Sequence, residues 1–411
     1  MKNLKGACIF GQSGGPTSVI NASAAGVFLE ALKQENITDI YGAEHGIRGI
    51  LEEKFFDIRK EDVKELELLK NTPSSELGSV RYKLKDVNVD DTDYKRLLEV
   101  FKKYNIRYFF YNGGNDSMDT CNKISKYLQS VKYECNVIGV PKTIDNDLAT
   151  TDHCPGYGSA ARYVATTCME VYKDMSVYDT PLICVVEVMG RNAGWLTAAS
   201  KLASYAGFGP DLIYLPEKDF DVDKFLNDVK ELKEKKNHVM VCVSEGIHDK
   251  NGKLIAESFN DVSHDSFGHA QLGGVASGLG NLLKEKLGCK VRSIEFSLMQ
   301  RCGAHVGSGR DIEEAFNAGS EAVKAACRGE TDKMVCFKRT KEDYAIEYIL
   351  LDVALAANAE KKVPLEWINE EGNDVKDEFV KYALPLIQGD PKFPLENNLP
   401  RFARLKKVYV K

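Results

Sequence analysis

Ala7-Cys8-Ile9-Phe10-Gly11-Gln12-Ser13-Gly14-Gly15-Pro16-Thr17 runs from four apolar residues straight into a glycine turn. Apolar side chains at spacings of three and four then follow over Ser18–Leu32. That order reads as strand, tight turn, helix. It recurs along the chain. Short apolar runs predict strands at Ala7–Phe10, Tyr108–Tyr111, Val137–Val140, Leu182–Val188, Leu212–Leu215, Val239–Val243 and Val291–Phe296. Helical spacing predicts helices over Met118–Leu128, Ala160–Met175, Phe225–Leu232 and Ile312–Cys327. Alternating strand and helix implies an α/β protein with mainly parallel sheets. In such sheets ligands bind beyond the carboxyl ends of strands.

The chain has 411 residues, enough for two or three domains, with 43% hydrophobic and 28% charged residues. Its net charge is −6 and no basic block stands out, which argues against a nucleic-acid partner. No apolar run approaches the roughly 18 residues of a membrane span. The first ten residues lead into the glycine turn with no long apolar region, so they read as a first strand rather than a signal peptide. The 11 cysteines are scattered, several inside apolar runs, and none form a C-x-x-C pair. That pattern fits buried thiols in a reducing cytoplasm better than a zinc site or a disulfide framework. The turn-rich stretch Asp152–Ser159 is the best first domain boundary. The tail from about Leu351 reads as polar and helical, with a charged loop near Glu370–Lys376.

Four motifs stand at strand ends. Gly11–Thr17 offers backbone N–H groups and a helix N-terminus to an anion, although alone it reads equally as an ordinary turn. It is neither a P-loop nor G-x-G-x-x-G. Tyr111-Asn112-Gly113-Gly114-Asn115-Asp116-Ser117 adds side-chain oxygens suited to Mg²⁺ at Asn115 and Asp116, though Asp116 or Ser117 equally suits an N-cap. Pro141-Lys142-Thr143-Ile144-Asp145-Asn146-Asp147 sets two carboxylates beside a lysine and a threonine. One carboxylate can take a proton from an attacking hydroxyl, the other can orient a metal or basic partner, and the lysine can neutralise phosphate. Glu187-Val188-Met189-Gly190-Arg191-Asn192-Ala193-Gly194-Trp195 places Arg191 where it can hold a charged or hydroxylated ligand.

Taken together, and with Gly78-Ser79-Val80-Arg81, Ser244-Glu245-Gly246 and Gln300-Arg301, these motifs resemble the phosphofructokinase family, in order, from about residue 6 to about residue 330. The likeness is greatest to its pyrophosphate-dependent branch. Phe267-Gly268-His269, Gln271-Leu272-Gly273-Gly274 and Lys362-Val363-Pro364-Leu365-Glu366-Trp367-Ile368 also match that branch. The resemblance implies two Rossmann-like lobes with the active site in the cleft between them. Residues 1–155 plus about 300–350 would bind the donor, and 156–299 plus about 351–411 the sugar phosphate.

It also implies roles. Asp145 would be the general base for the sugar 1-hydroxyl, and Asp147 would orient phosphate or metal. Thr143, Met189, Gly190, Arg191 and Glu245 would contact the sugar. Arg292 and Arg301 would grip the 6-phosphate, Arg81 would bridge donor and acceptor, and Gly14 and Gly114 would meet the donor phosphates. Subunits of the family share sugar-phosphate contacts, which implies a homodimer or homotetramer.

Two side chains bear on the donor. Asp116 stands where ATP-dependent members usually have glycine, and Lys142 where many have glycine. A carboxylate in the space of a nucleotide's third phosphate adds bulk and like-charge repulsion, of order 4 kcal/mol per charge pair before screening. Lys142 instead suits the transferring phosphoryl group and the phosphate left behind.

Departures from the pattern are Asn115 in place of the usual metal-binding Asp, and Leu182 and Leu298 where bacterial ATP-dependent members have basic side chains. The Asp261–Gly274 insertion is a candidate compensation, although its His264 and His269 read more readily as structural residues. The expected reaction is phosphoryl transfer from diphosphate to fructose 6-phosphate, with Mg²⁺. The alternatives are an ATP-dependent kinase, disfavoured by Asp116, and a non-catalytic sugar-phosphate-binding subunit, disfavoured by the intact T-I-D-N-D.

Overall fold

A computed structural model describes residues 4–259, 273–341, 344–357 and 359–410. The chain packs as two compact units. Unit 1 comprises Met1–Ser159, Arg301–Glu360 and Gly389–Lys411; unit 2 comprises Ala160–Gln300 and Lys361–Gln388.

In unit 1 the strands are β1 (Gly6–Gln12), β2 (Ile37–Ala43), β3 (Phe55–Asp57), β4 (Ile106–Gly113) and β5 (Asn136–Pro141). In unit 2 they are β6 (Leu182–Val188), β7 (Leu212–Tyr214), β8 (His238–Ser244) and β9 (Lys290–Glu295). Unit 1 is completed by β10 (Lys333–Lys341) and β11 (Ala345–Asp352). Its seven-stranded sheet has the order β11-β10-β5-β4-β1-β2-β3. The inner pairs are parallel and the two edge pairs, β10–β11 and β2–β3, antiparallel. Ala7 and Ile9 of β1 join one core while Cys8 and Phe10 join the other, and Phe109 and Tyr108 of β4 divide likewise. Burial on both faces is why these strands read as unbroken apolar runs.

Helices α1 (Ile20–Ala31) and, near the end of the unit, Gly309–Cys327 cross closely. A Cβ at Gly26 would come within 1.9 Å of Phe316 O, and one at Gly319 within 2.1 Å of Ser23 O. Only hydrogen fits at either place. The sheet of unit 2, ordered β7-β8-β6-β9, is wholly parallel.

Two expectations need correction. Residues 351–360 and 389–411 belong to unit 1 rather than packing with 160–300. The C-terminal chain returns to the edge of the large sheet, where Val410 N–H donates to Phe55 O (2.9 Å) and Asp57 N–H to Val408 O (2.8 Å). The tail is also mostly non-helical. Leu351 lies in β11, and beyond it the longest helix among the described residues is the seven-residue Asp377–Ala383. Its path is set by contacts to the folded chain, these backbone pairs among them, rather than by helix propensity.

Candidate active site

In unit 1 the carboxyl ends of β1, β4 and β5 bring three loops together, since the strands are parallel neighbours. Gly14 takes φ +76°, a left-handed conformation open to glycine at no steric cost. Gly14 O accepts from Ser79 Oγ at 2.6 Å, which docks the segment carrying Arg81. A buried amide pair supports that segment from below. Gln12 Nε2 donates to Asn21 Oδ1 (2.9 Å), and Leu77 N–H and Glu76 N–H donate to the Gln12 and Asn21 side-chain oxygens. Arg81 itself is exposed.

Lys142 follows β5 and is buried, with its Nζ donating to Gly15 O at 2.6 Å. Burial pulls its pKa down to about 8 against the pull of Asp145 and Asp147, with Arg301 and Arg81 adding to the decrease. A Cβ at Gly15 would lie 3.4 Å from Arg301 Nη1. Four charged side chains therefore act on Lys142 here: Asp145, Asp147, Arg81 and Arg301. Asp145 N–H donates to Thr143 Oγ1 (3.0 Å). Asn146, between the two carboxylates, has φ +56° and accepts from Cys154 N–H at 2.9 Å. Burial first, then Asp145 and Glu360, raise the Asp147 carboxyl well above the ordinary range.

Asn115 and Asp116 open helix α2 (Asn115–Ser130), after Gly114. Asn115 Nδ2 donates to Asp147 Oδ2 at 2.9 Å. The remaining side-chain oxygens, Asn115 Oδ1 and Asp147 Oδ1, are buried and accept no hydrogen bond. Two orphaned oxygens on side chains that already touch each other fit a cation. Among the described residues no group of three His, Cys, Asp or Glu side chains could hold a metal by itself. Such a cation would draw its other ligands from substrate and water, as Mg²⁺ commonly does. Asp116 is exposed on the first turn of α2.

Unit 2 holds Met189, Gly190, Arg191, Glu245 and Arg292. The turn after β6 is held from several sides. Met189 N–H donates to Gln300 Oε1 (3.2 Å), Gly190 N–H to Glu245 Oε1 (3.2 Å), and Ser244 Oγ to Gly190 O. Gly190 has φ +144°, and a Cβ on Gly246 would come within 1.8 Å of Arg191 O. Arg292 is exposed on the edge strand β9, with its guanidinium 5.9 Å from the Tyr178 ring centroid.

Residues 8–295 match the family described as Phosphofructokinase. The chain belongs to the phosphofructokinase family. Among its relatives is the pyrophosphate–fructose 6-phosphate 1-phosphotransferase of Halomonas elongata, 42% identical over 407 residues, covering 98% of this chain and 96% of the relative. The protein of the same name from Methylococcus capsulatus is 41% identical over 98% of this chain and 96% of the relative. A solved pyrophosphate-dependent phosphofructokinase from Nitrosospira multiformis superposes with a TM-score of 0.90 at 38% identity, covering 98% of each chain.

Several features of this phosphofructokinase fold were not singled out from the sequence. Nothing in its motif announces the positive φ of Asn146, which is visible only in the folded loop. The Gln12–Asn21 pair and Gln300 work through backbone groups distant in sequence. Glu360 approaches Asp147 because Leu148 and Glu360 form an isolated antiparallel bridge. Leu182 is a core residue of β6 and Leu298 is 54% exposed, so neither offers a charge to phosphate. His264 and His269 lie outside the described residues, as do Phe267-Gly268-His269 and Gln271-Leu272.

Proposed function

We propose that the protein catalyses reversible phosphoryl transfer from diphosphate to the 1-hydroxyl of fructose 6-phosphate, giving fructose 1,6-bisphosphate and phosphate, a step of glycolysis and gluconeogenesis. The observation that carries this reading is the buried Lys142 among Asp145, Asp147, Arg81 and Arg301, with Asp116 on the adjoining helix start. Asp145 takes the proton of the 1-hydroxyl. The sugar oxygen forms a bond to the near phosphorus of diphosphate, and the bridging P–O bond breaks to release phosphate. Lys142 and Arg81 supply positive charge as negative charge moves toward the leaving oxygen. Gly14 and Gly114 leave the backbone open to the donor.

Thr143, Met189, Gly190, Arg191 and Glu245 bind the sugar. Asn115 and Asp147 hold Mg²⁺, supported by their two orphaned oxygens. When bound, Mg²⁺ neutralises diphosphate oxygens. Arg292 meets the 6-phosphate.

For Arg301 two readings compete: the 6-phosphate, and the donor phosphate favoured by its place beside Gly15 and Lys142. Arg301→Ala separates them. A rise of about tenfold or more in KM for fructose 6-phosphate supports the first, and the same rise for diphosphate the second. The reaction itself is tested by a donor panel. Purified protein with Mg²⁺ should turn over with diphosphate and not with ATP; the reverse result sinks the proposal. Removing Mg²⁺ by chelation should abolish turnover. Eleven free cysteines, eight of them buried, support a cytoplasmic location. The exposed Arg292, Leu298 and Met299 support a homo-oligomer, to be read by light scattering.

A further inference from the structure

The far end of the sugar-binding turn is held by a residue with no assigned part in binding. Glu217 follows β7 and is largely buried. Its Oε1 accepts two backbone N–H groups at once: Gly194 at 2.8 Å and Val363 at 3.0 Å. Gly194 closes the turn that begins at Met189, and Val363 lies 169 residues further on, in the segment Lys361–Gln388 that rejoins unit 2. A second contact links the same two places. Trp195 Nε1 donates to Lys361 O at 2.9 Å. Trp195 packs against Tyr382, Trp367 and Phe379 of that segment, with centroids 5.2, 6.1 and 6.4 Å away. The fit is tight, since a Cβ on Gly194 would come within 2.6 Å of Glu217 Oε2 and within 2.9 Å of Pro216.

The turn is thus pinned at both ends. Glu245, Ser244 and Gln300 grip Met189 and Gly190. Glu217 and the returning segment grip Gly194 and Trp195. Arg191 stands between the grips.

We infer that Glu217 is a positioning residue for the acceptor: by accepting both the Gly194 and Val363 amides it fixes the Met189–Gly194 turn, so the returning segment 361–388 tunes affinity for sugar phosphate without touching it. The inference rests on the sugar-phosphate reading of that turn. Glu217 acts before the chemical step, so its loss shows in acceptor binding rather than in turnover. The accepting oxygen matters, not the charge. Burial raises the Glu217 carboxyl above its ordinary range, and a side-chain amide keeps the same acceptor.

The test compares wild type with Glu217→Ala, Glu217→Gln and Gly194→Ala. Titration calorimetry with fructose 6-phosphate, kinetics with both substrates, and hydrogen exchange at residues 194 and 363 are read on each. Glu217→Ala should weaken the fructose 6-phosphate Kd and KM about tenfold, the order expected when two buried donors lose their acceptor. kcat and the diphosphate KM should stay within threefold. Exchange should rise at 194 and 363 together, and not at Ile213, whose N–H donates to Asn373 O at 2.8 Å. Glu217→Gln should stay within threefold of wild type in every readout. Should Glu217→Ala not fold, Gly194→Ala pushes the intact carboxylate off both amides and should show the same pattern.

A fructose 6-phosphate Kd within twofold of wild type overturns the inference, as does unchanged exchange at either amide or a fall confined to kcat. Absence of diphosphate-dependent turnover in wild type would refute the functional reading alone. The Kd and the exchange pattern would then still decide for or against Glu217.

Discussion

Lys142 shows how burial and neighbouring charges together tune one side chain. Burial lowers its pKa to about 8, with Arg81 and Arg301 assisting and Asp145 and Asp147 opposing. The cost in stability has a definite sign. The folded pKa lies below the unfolded one of 10.5, so the penalty for keeping a buried cation is fully present below pH 8 and lifts as pH rises from 8 toward 10.5. In the proposed role of Lys142, activity runs the other way, because a neutral amine cannot offset phosphate charge. The profile of kcat/KM for diphosphate should fall above about pH 8, since that ratio reports the free enzyme. Lys142→Arg should remove this alkaline limb even if the plateau drops; a limb that stays near pH 8 assigns it to another group. Asp116 offers a second check. Asp116→Gly should admit detectable ATP turnover while changing kcat/KM for diphosphate by less than about tenfold, and the absence of ATP use in a folded variant counts against the steric and electrostatic account of donor choice. Much of this loop was legible because its chemistry is local: Lys142, Thr143, Asp145 and Asp147 are six residues end to end. What was not legible depends on distant partners. Nothing around Asn146 announces that Cys154 N–H will fix its side chain, and Glu217 reads as a surface carboxylate until the Val363 amide arrives.

At the scale of elements, burial decides what a sequence discloses. β1, β4, β5, β6 and β8 are covered on both faces and stand out as apolar runs. β10 has four buried residues, Met334–Phe337, between lysines and arginines, and β11 is half-buried at six positions and exposed at two without alternating, so neither carries a clear pattern. β11 is the edge strand of the large sheet and β10 lies next to it, where solvent relaxes the demand for apolar residues. The contact between α1 and Gly309–Cys327 was equally hidden, since glycines at helix interiors look like weak points. Their reason is backbone proximity: 1.9 and 2.1 Å from a would-be Cβ to a carbonyl oxygen. Gly319→Ala should therefore destabilise unit 1 by about 1–3 kcal/mol, the usual cost of overpacking, despite the gain of roughly 1 kcal/mol in helix propensity. Urea unfolding measures it, and a variant as stable as wild type would show that the helices can separate at little cost.

At the scale of the molecule, the chain leaves unit 1 and returns to it twice. Its last stretch is bound at several points: Lys406 and Lys407 N–H donate to Glu61, Arg401 pairs with Glu65, and Tyr409 packs on Phe56 with centroids 5.0 Å apart. Deleting residues 389–411 should lower the unfolding temperature by several degrees, because those contacts and the cover over β3 are lost together. A truncated protein with unchanged calorimetric melting would make the tail dispensable. The same threading bears on synthesis. β5 gains its outer neighbour only when β10 is made, and Pro141 and Lys333 are 192 residues apart, 333 minus 141. At roughly 5–20 residues per second, a ribosome needs about 10–40 s to cover that distance. For that interval the nascent chain presents an open parallel edge of buried-type residues, Asn136–Pro141, to every other chain nearby. The order of the strands in the sheet therefore concentrates the risk of misassembly during synthesis in the interval before the final eighty residues emerge.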